Sequence, residues 1–214
     1  MALSDRVDNY CERVGPEFWS EPLNAVTNAA FLLAAVAAFI LWRRKTPDDL
    51  PALILIGIVF ATGLGSFLFH TFATRWAALA DVIPIALFIH VYLFVALKRF
   101  LRLRWWPALA IVIAFFVATP FAGRAVAPLI GSSAGYVPAL MAIFVVGSLF
   151  VRQDKRLGSE VLLTGVVFTL SLTFRTLDEP LCAQFEIGTH FLWHILNSIV
   201  LFLLLRVLIR HGAG

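Results

Sequence analysis

The sequence predicts an all-α membrane protein: a seven-transmembrane helix bundle with its N-terminus outside and its C-terminus in the cytoplasm. Of its 214 residues 61% are hydrophobic, and the mean hydropathy is +0.90. Soluble domains are only about 45–50% apolar. The formal net charge is +4, but the basic residues stand in short segments between apolar runs, which is typical of membrane topology. We therefore expect a lipid bilayer around the chain and no nucleic-acid partner.

Seven apolar runs are long enough to cross a membrane, which takes about 20 residues. They lie at residues 24–42, 51–70, 78–97, 106–122, 135–151, 159–176 and 189–209. The connections between them are too short to hold a second domain, so residues 1–214 are expected to form one membrane domain. A transporter would be expected to show internal repeats or broken helices near the midplane, and the sequence shows no such symmetry.

The distribution of lysine and arginine predicts the orientation, because these residues favour the cytoplasmic side. Twelve of them follow the first, third and fifth runs or lie near the C-terminus: Arg43, Arg44, Lys45, Lys98, Arg99, Arg102, Arg104, Arg152, Lys155, Arg156, Arg206 and Arg210. The other side holds five: Arg6, Arg13, Arg75, Arg124 and Arg175. An outside N-terminus and a cytoplasmic C-terminus require an odd number of spans, which agrees with seven.

Polar residues interrupt three of the apolar runs near their predicted outer ends. Ser66 and His70 are four residues apart, so they share one helix face, and Asp81 begins the next run. His190 and His194 have the same spacing at the start of the last run. Ionisable residues at lipid depth are costly and usually face the interior of a bundle. We therefore expect these five residues to form one site.

Three histidines suit a catalytic zinc ion, because they leave one position of a tetrahedral site open for water. Bound zinc lowers the pKa of that water and polarises a carbonyl group. Asp81 would then act as general base or hold a ligand in place, and Ser66 would donate a hydrogen bond to a developing oxyanion. Each feature taken alone has a simpler interpretation. Ser66 would only make an interhelical hydrogen bond, and His190 with His194 would be a pair at the membrane interface.

Two cysteines fall on the predicted outer side. Cys11 lies in the N-terminal segment and Cys182 between the sixth and seventh runs. If that side is oxidising, the two form a candidate disulfide. The alternative is a pair of unpaired thiols near lipid.

Four motifs, in this order, resemble the alkaline ceramidase family, part of the superfamily that includes the progestin and adiponectin receptors. They are Tyr10-Cys11-Glu12, the segment from Glu21 to Asn28, Gly65-Ser66-x-x-x-His70 followed by Asp81, and His190-x-x-x-His194. The resemblance covers about residues 8 to 200. It implies a seven-helix amidase that cleaves ceramide to sphingosine and a fatty acid. It also implies that His70, His190 and His194 bind zinc, that Ser66 and Asp81 form a catalytic polar pair, and that Cys11 pairs with Cys182.

The resemblance further implies a calcium site in the N-terminal segment. Glu12 and Glu21 match two of its carboxylates, and Tyr10 could offer a backbone carbonyl. The segment is shorter here, and Arg13 or Val14 stands where an amide ligand is expected. Calcium takes six to eight oxygen ligands, and the sequence supplies few. The alternative is that Glu21 caps the first helix or bonds to asparagines on its own helix face.

We therefore expect a zinc-dependent hydrolase of ceramide or a related N-acyl lipid. The alternative function is a seven-helix lipid receptor or sensor with a structural zinc site. A receptor would need a sizeable cytoplasmic surface, and the predicted cytoplasmic segments are short. The first twenty residues do not resemble a cleaved secretory signal, which favours a bacterial inner-membrane protein with its site toward the outer face.

Overall fold

The computed structural model describes residues 2–211 and is helical. Its α-helices are α1 (Pro22–Thr27), α2 (Ala29–Lys45), α3 (Leu50–Phe72), α4 (Arg75–Arg99), α5 (Trp105–Ile130), α6 (Val137–Val151), α7 (Lys155–Leu177) and α8 (His190–His211). Short 3-10 turns lie at Gly131–Tyr136 and Glu179–Leu181. Between residues 2 and 211 there is no strand, only an isolated antiparallel bridge between Arg6 and Thr74. The prediction of an all-helical protein is confirmed.

Six helical stretches in the described part of the chain are long and apolar enough to cross a membrane. They support a multi-pass membrane protein. The fourth and fifth predicted runs lie in one stretch, Trp105–Val151, which counts as a single span. Helix α5 continues past the predicted end at residue 122 to Ile130, although Pro120 and Pro128 lie inside it. Transmembrane helices tolerate proline in this way, and α5 ends at Gly131, whose φ of 55° is accessible to glycine.

Helix α8 forms the centre of the bundle, packed against α2, α3 and α7. Its sequence is apolar on all sides, which is typical of a helix that is surrounded by others. Leu205 and Leu208 are fully buried, and Val200 and Val207 are nearly so. The two histidines at its start are therefore carried into the interior of the bundle.

Helices α3 and α4 approach each other closely at Gly65. A Cβ atom at this position would overlap the backbone carbonyl of Ala80 on α4. Small residues at a helix interface allow such close backbone contact in membranes. The contact brings Ser66, which follows Gly65, next to Asp81, which follows Ala80.

The N-terminal segment crosses one end of the bundle and joins two of its connections. The Val7 amide donates to the Ala73 carbonyl (2.8 Å), and the Arg75 amide donates to the Asp5 carbonyl (3.0 Å), which fixes the segment on the α3–α4 connection. Cys11 and Cys182 form a disulfide that fixes it to the α7–α8 connection. The predicted disulfide is present in the structure.

Asp49 organises the opposite end of the bundle. Its side chain caps α3 by accepting a hydrogen bond from the Ala52 amide (3.1 Å) and forms a two-pronged ion pair with Arg99 (2.5 and 2.6 Å). Burial alone would raise the pKa of Asp49, but the bonds from Arg99 and Ala52 hold it below its ordinary value. The carboxylate therefore stabilises the fold while it is ionised.

We expect Asp49→Asn to lower the free energy of unfolding by about 1.5–3 kcal/mol at neutral pH, because the ion pair with Arg99 is lost. The folded-state pKa of Asp49 is depressed, so its contribution is present above the unfolded pKa of about 3.9 and disappears as the pH falls through the folded value. Thermal unfolding of both proteins in detergent between neutral and acid pH measures the difference. The difference in stability between Asp49→Asn and the unchanged protein should become smaller as the pH falls.

The matched control is Asp48→Asn, because Asp48 is an exposed neighbour. Its unfolding temperature should stay close to that of the unchanged protein. Equal losses in the two variants, or a loss for Asp49→Asn that does not change with pH, would contradict the role of the ion pair.

Candidate metal centre

Three histidines meet at the end of the bundle that is covered by the N-terminal segment. His70 comes from the last turn of α3, and His190 and His194 from the first turns of α8. All three are buried, and one ring nitrogen from each lies within 4.8 Å of the other two. Within residues 2–211, His70 Nε2, His190 Nδ1 and His194 Nε2 have no hydrogen-bond partner. Buried polar atoms are rarely left unpaired, so these nitrogens fit a shared metal ion.

The remaining ring nitrogens of two of these histidines have partners that orient them. His70 Nδ1 lies 2.5 Å from Glu21 Oε2, and His194 Nδ1 lies 3.0 Å from the Thr27 hydroxyl oxygen. The Thr27 hydroxyl donates its own hydrogen to the Leu23 carbonyl (2.8 Å), so it accepts a hydrogen bond from His194. Both Nδ1 atoms therefore carry the hydrogen, and both Nε2 lone pairs are free to bind a metal.

Asp178 fixes the start of α8 and thus the position of His190. Its Oδ1 accepts hydrogen bonds from the amides of Thr189 (2.7 Å) and His190 (2.9 Å), and its Oδ2 accepts one from the Cys11 amide (3.2 Å). Gly188 has a φ of 63°, and a Cβ there would collide with the Asp178 carboxylate. The capping residue therefore comes from the preceding connection, where sequence reasoning did not look for it.

Ser66 and Asp81 lie beside the three histidines. Both are buried: Ser66 lies one turn before His70 on α3, and Asp81 lies on α4 where its backbone approaches Gly65. The five residues that the sequence singled out are thus gathered at one end of the bundle.

Tyr10 also belongs to the site, where only its backbone carbonyl was considered from the sequence. Its ring stacks on His190 with the ring centres 3.8 Å apart, and it lies 5.1 Å from the ring of His70. Burial raises the pKa of the Tyr10 hydroxyl, which keeps it neutral. No helical spacing connects Tyr10 with the histidines, so only the fold brings them together.

Arg175, near the C-terminal end of α7, was counted from the sequence only as a topological charge. Its guanidinium donates to the hydroxyls of Ser132 (2.9 Å) and Ser133 (3.0 Å). It also lies over the rings of Tyr136 (5.2 Å) and Trp193 (5.6 Å), which suits cation–π contact. A cation beside Trp193 is thus placed close to the histidines of α8.

Arg175 and Tyr136 line a cavity of about 270 Å³ between α4, α5, α6 and α7. Its other walls are mostly apolar and include Ile85, Ile89 and Phe115. A second apolar cavity shares these walls and Tyr136 and continues toward Phe168 and Leu201. The two cavities are therefore neighbours within the bundle, and the polar side chains of the first include Arg175.

The carboxylates that matched a calcium site are fully engaged by the protein itself. Both oxygens of Glu12 accept backbone hydrogen bonds at the start of α1, from Leu23 (2.7 Å) and Asn24 (2.8 Å). Glu21 is bonded to Arg13, to His70 and to the Asn24 side chain (3.2 Å). These residues do not fit a calcium ion. Of the asparagines expected to bond to Glu21, Asn24 does so, whereas the Asn28 side chain donates to the Asn24 carbonyl. The Glu21 side chain does not cap α1; the side chain of Glu12 does.

Burial alone would raise the pKa of Glu21, but its bonds to His70 and Arg13 hold it below the ordinary value. Glu21 is therefore a buried carboxylate ion. It links the histidine cluster to the N-terminal segment.

The chain matches a protein-family model described as Ceramidase over residues 7–211, nearly its whole length. Comparison with individual curated proteins gives no match. The family match spans all the motifs on which the resemblance was based. The chain therefore belongs to the ceramidase family.

Proposed function

We propose that this protein is a zinc-dependent intramembrane amidohydrolase that cleaves the amide bond of ceramide or a related N-acyl lipid. Membership of the ceramidase family implies a ceramide-hydrolysing membrane enzyme. The observation that carries the proposal further is the set of three buried imidazole nitrogens without a hydrogen-bond partner, next to Ser66 and Asp81.

His70, His190 and His194 would hold the metal ion. Imidazole ligands suit zinc, and a site with three protein ligands, which leaves the fourth position open, is typical of catalytic zinc. When bound, zinc would polarise the amide carbonyl and lower the pKa of water in the open position. Glu21 and Thr27 support the site by keeping two of the imidazoles in the orientation that metal binding needs.

Asp81 and Ser66 would handle the proton and the developing charge. Asp81 would accept a proton from the water molecule while the water oxygen attacks the carbonyl carbon. It would then deliver that proton to the amine nitrogen when the carbon–nitrogen bond breaks. The Ser66 hydroxyl, on the neighbouring helix face, would donate a hydrogen bond to the developing oxyanion. The products would be a fatty acid and a long-chain amine.

The two neighbouring cavities suit a lipid substrate. Their apolar walls would accept an acyl chain, and Arg175 and Tyr136 lie at the polar end, where the head of an amphiphilic molecule would remain. A lipid held in this direction would present its amide group close to the histidine cluster.

We also propose seven spans within a single membrane domain, with the N-terminus outside and the C-terminus in the cytoplasm. A straight helix of 47 residues, the length of the stretch Trp105–Val151, would measure about 70 Å, more than twice the roughly 30 Å hydrocarbon core. The break at Gly131–Tyr136 supports separate crossings by α5 and α6. The excess of lysine and arginine at the end opposite the histidines supports the orientation, which would place the site toward the outer face of a bacterial inner membrane.

Reporter fusions at the C-terminus test this topology in a bacterial host. A green fluorescent protein, which matures in the cytoplasm, should fluoresce there, and an alkaline phosphatase, which needs the oxidising side, should be inactive. The reverse pattern would mean an even number of spans or the opposite orientation. An inactive fluorescent fusion together with an active phosphatase fusion would therefore contradict the proposed topology.

Purified protein should contain about one zinc ion per chain, as a single three-histidine site requires. His190→Ala should reduce the zinc content to near zero, because two imidazoles bind zinc much more weakly than three. Elemental analysis after dialysis measures the zinc content of the unchanged protein and of His190→Ala. His90→Ala is the matched control, because His90 lies elsewhere on α4, beside Phe115 and Phe116. Full zinc occupancy in His190→Ala would exclude His190 as a ligand.

Incubation with a panel of ceramides and other N-acyl lipids, followed by mass spectrometry, should detect released fatty acid. Asp81→Asn should slow this release at least about 100-fold, the usual contribution of a general acid–base group, and should retain its zinc. An active Asp81→Asn variant would remove Asp81 from the mechanism. Saturable lipid binding without release by the unchanged protein would instead favour a receptor or sensor with a structural zinc site.

A further inference from the structure

We propose that the Arg13 guanidinium takes the place of a calcium ion in this protein, so that the histidine cluster is held in shape without calcium. The inference rests on the proposed function only in treating His70 as a metal ligand. It concerns a cation that is part of the chain and a positioning role for Arg13.

The surroundings of Arg13 are those of a bound cation. Its Nε donates to Glu21 Oε1 (2.5 Å), its Nη1 to the Gly15 carbonyl (3.1 Å) and its Nη2 to the His70 carbonyl (3.0 Å). One carboxylate and two backbone carbonyls thus surround a positive charge. Carboxylate and carbonyl oxygens are also the ligands that calcium prefers.

These oxygens are directed at the guanidinium, so few oxygen atoms in this region are free to bind a metal ion. Arg13 and Glu21 are 8% and 2% exposed, so their charges are paired with each other in the interior. Both oxygens of the neighbouring Glu12 are occupied by backbone amides. Calcium would have to bind beside a fixed positive charge and with too few free oxygens, and like charges at short range repel strongly in a buried site.

Arg13 reaches the histidine cluster through two routes. It bonds to Glu21, whose other oxygen holds His70 Nδ1 at 2.5 Å, and it bonds directly to the backbone carbonyl of His70. Glu21 is buried between His70 and Arg13, and a buried carboxyl group needs partners for both of its oxygens. Arg13 supplies one of these partners and fixes both the side chain and the backbone of one proposed zinc ligand.

The first test measures calcium in the unchanged protein. Purified protein should contain no stoichiometric calcium, and its zinc dissociation constant, measured by competition with a chromophoric chelator, should be the same in calcium-depleted and calcium-containing buffer. One bound calcium per chain, or a several-fold change of zinc affinity on calcium addition, would overturn the proposal. A protein that binds neither metal would contradict the zinc site while supporting the absence of a calcium site.

The second test replaces the charge. Arg13→Gln should weaken zinc binding about 10–100-fold, the usual cost of losing a group that orients a metal ligand. Arg6→Gln is the control, because Arg6 is exposed in the same segment and bonds to the Pro16 carbonyl. It should bind zinc like the unchanged protein.

Arg13→Lys distinguishes positioning from general damage to the fold, because lysine keeps the charge beside Glu21 but lacks the planar fork. Its zinc affinity should lie between those of Arg13→Gln and the unchanged protein. Unchanged zinc affinity in Arg13→Gln, or a loss equal to that of Arg6→Gln, would overturn the proposal. If Arg13→Gln does not fold, a zinc affinity of Arg13→Lys that rises several-fold on calcium addition would overturn it.

Discussion

The buried Glu21 carboxylate is the group on which the candidate site depends most. It contacts Arg13 from the N-terminal segment, Asn24 from α1 and His70 from α3. A carboxylate ion that is almost fully buried must have cationic or hydrogen-bonding partners on every side. Because these partners come from three parts of the chain, satisfying one charge also fixes how the N-terminal segment and the end of α3 meet. The geometry of His70 follows from that constraint.

The rest of the site is held by two further constraints that do not involve Glu21. Asp178 and the disulfide between Cys11 and Cys182 fix the start of α8, and with it His190. The close contact at Gly65 fixes α3 against α4, and with it Ser66 and Asp81. The N-terminal segment takes part in the first of these through Cys11. Residues that precede the first helix therefore help to determine the arrangement of side chains on two other helices, α3 and α8.

The parts of the structure that follow a helical period could be predicted from the sequence. Residues four apart share a helix face, so Ser66 with His70 and His190 with His194 were paired correctly, and the charge bias brought their helix ends together. The end of α5 was not predicted, because the apolar run was ended at residue 122 before Arg124, whereas the helix continues to Ile130 with Arg124 on its exposed face. The contacts that irregular segments make with the site, such as the stacking of Tyr10 on His190, could not be predicted either. Those contacts depend on chain paths that have no periodicity to reveal them.

The position of the site at the end of the bundle has a physical reason. Irregular backbone cannot lie in contact with lipid, because its amides and carbonyls would have no partner there. At the end of the helices, a folded N-terminal segment can approach the histidines and offer carboxylates, carbonyls and a tyrosine ring. The neighbouring cavities combine Arg175 with mostly apolar walls. A substrate with a polar amide at one end and long chains at the other would match this combination, which is why we infer a lipid amide and not a soluble one.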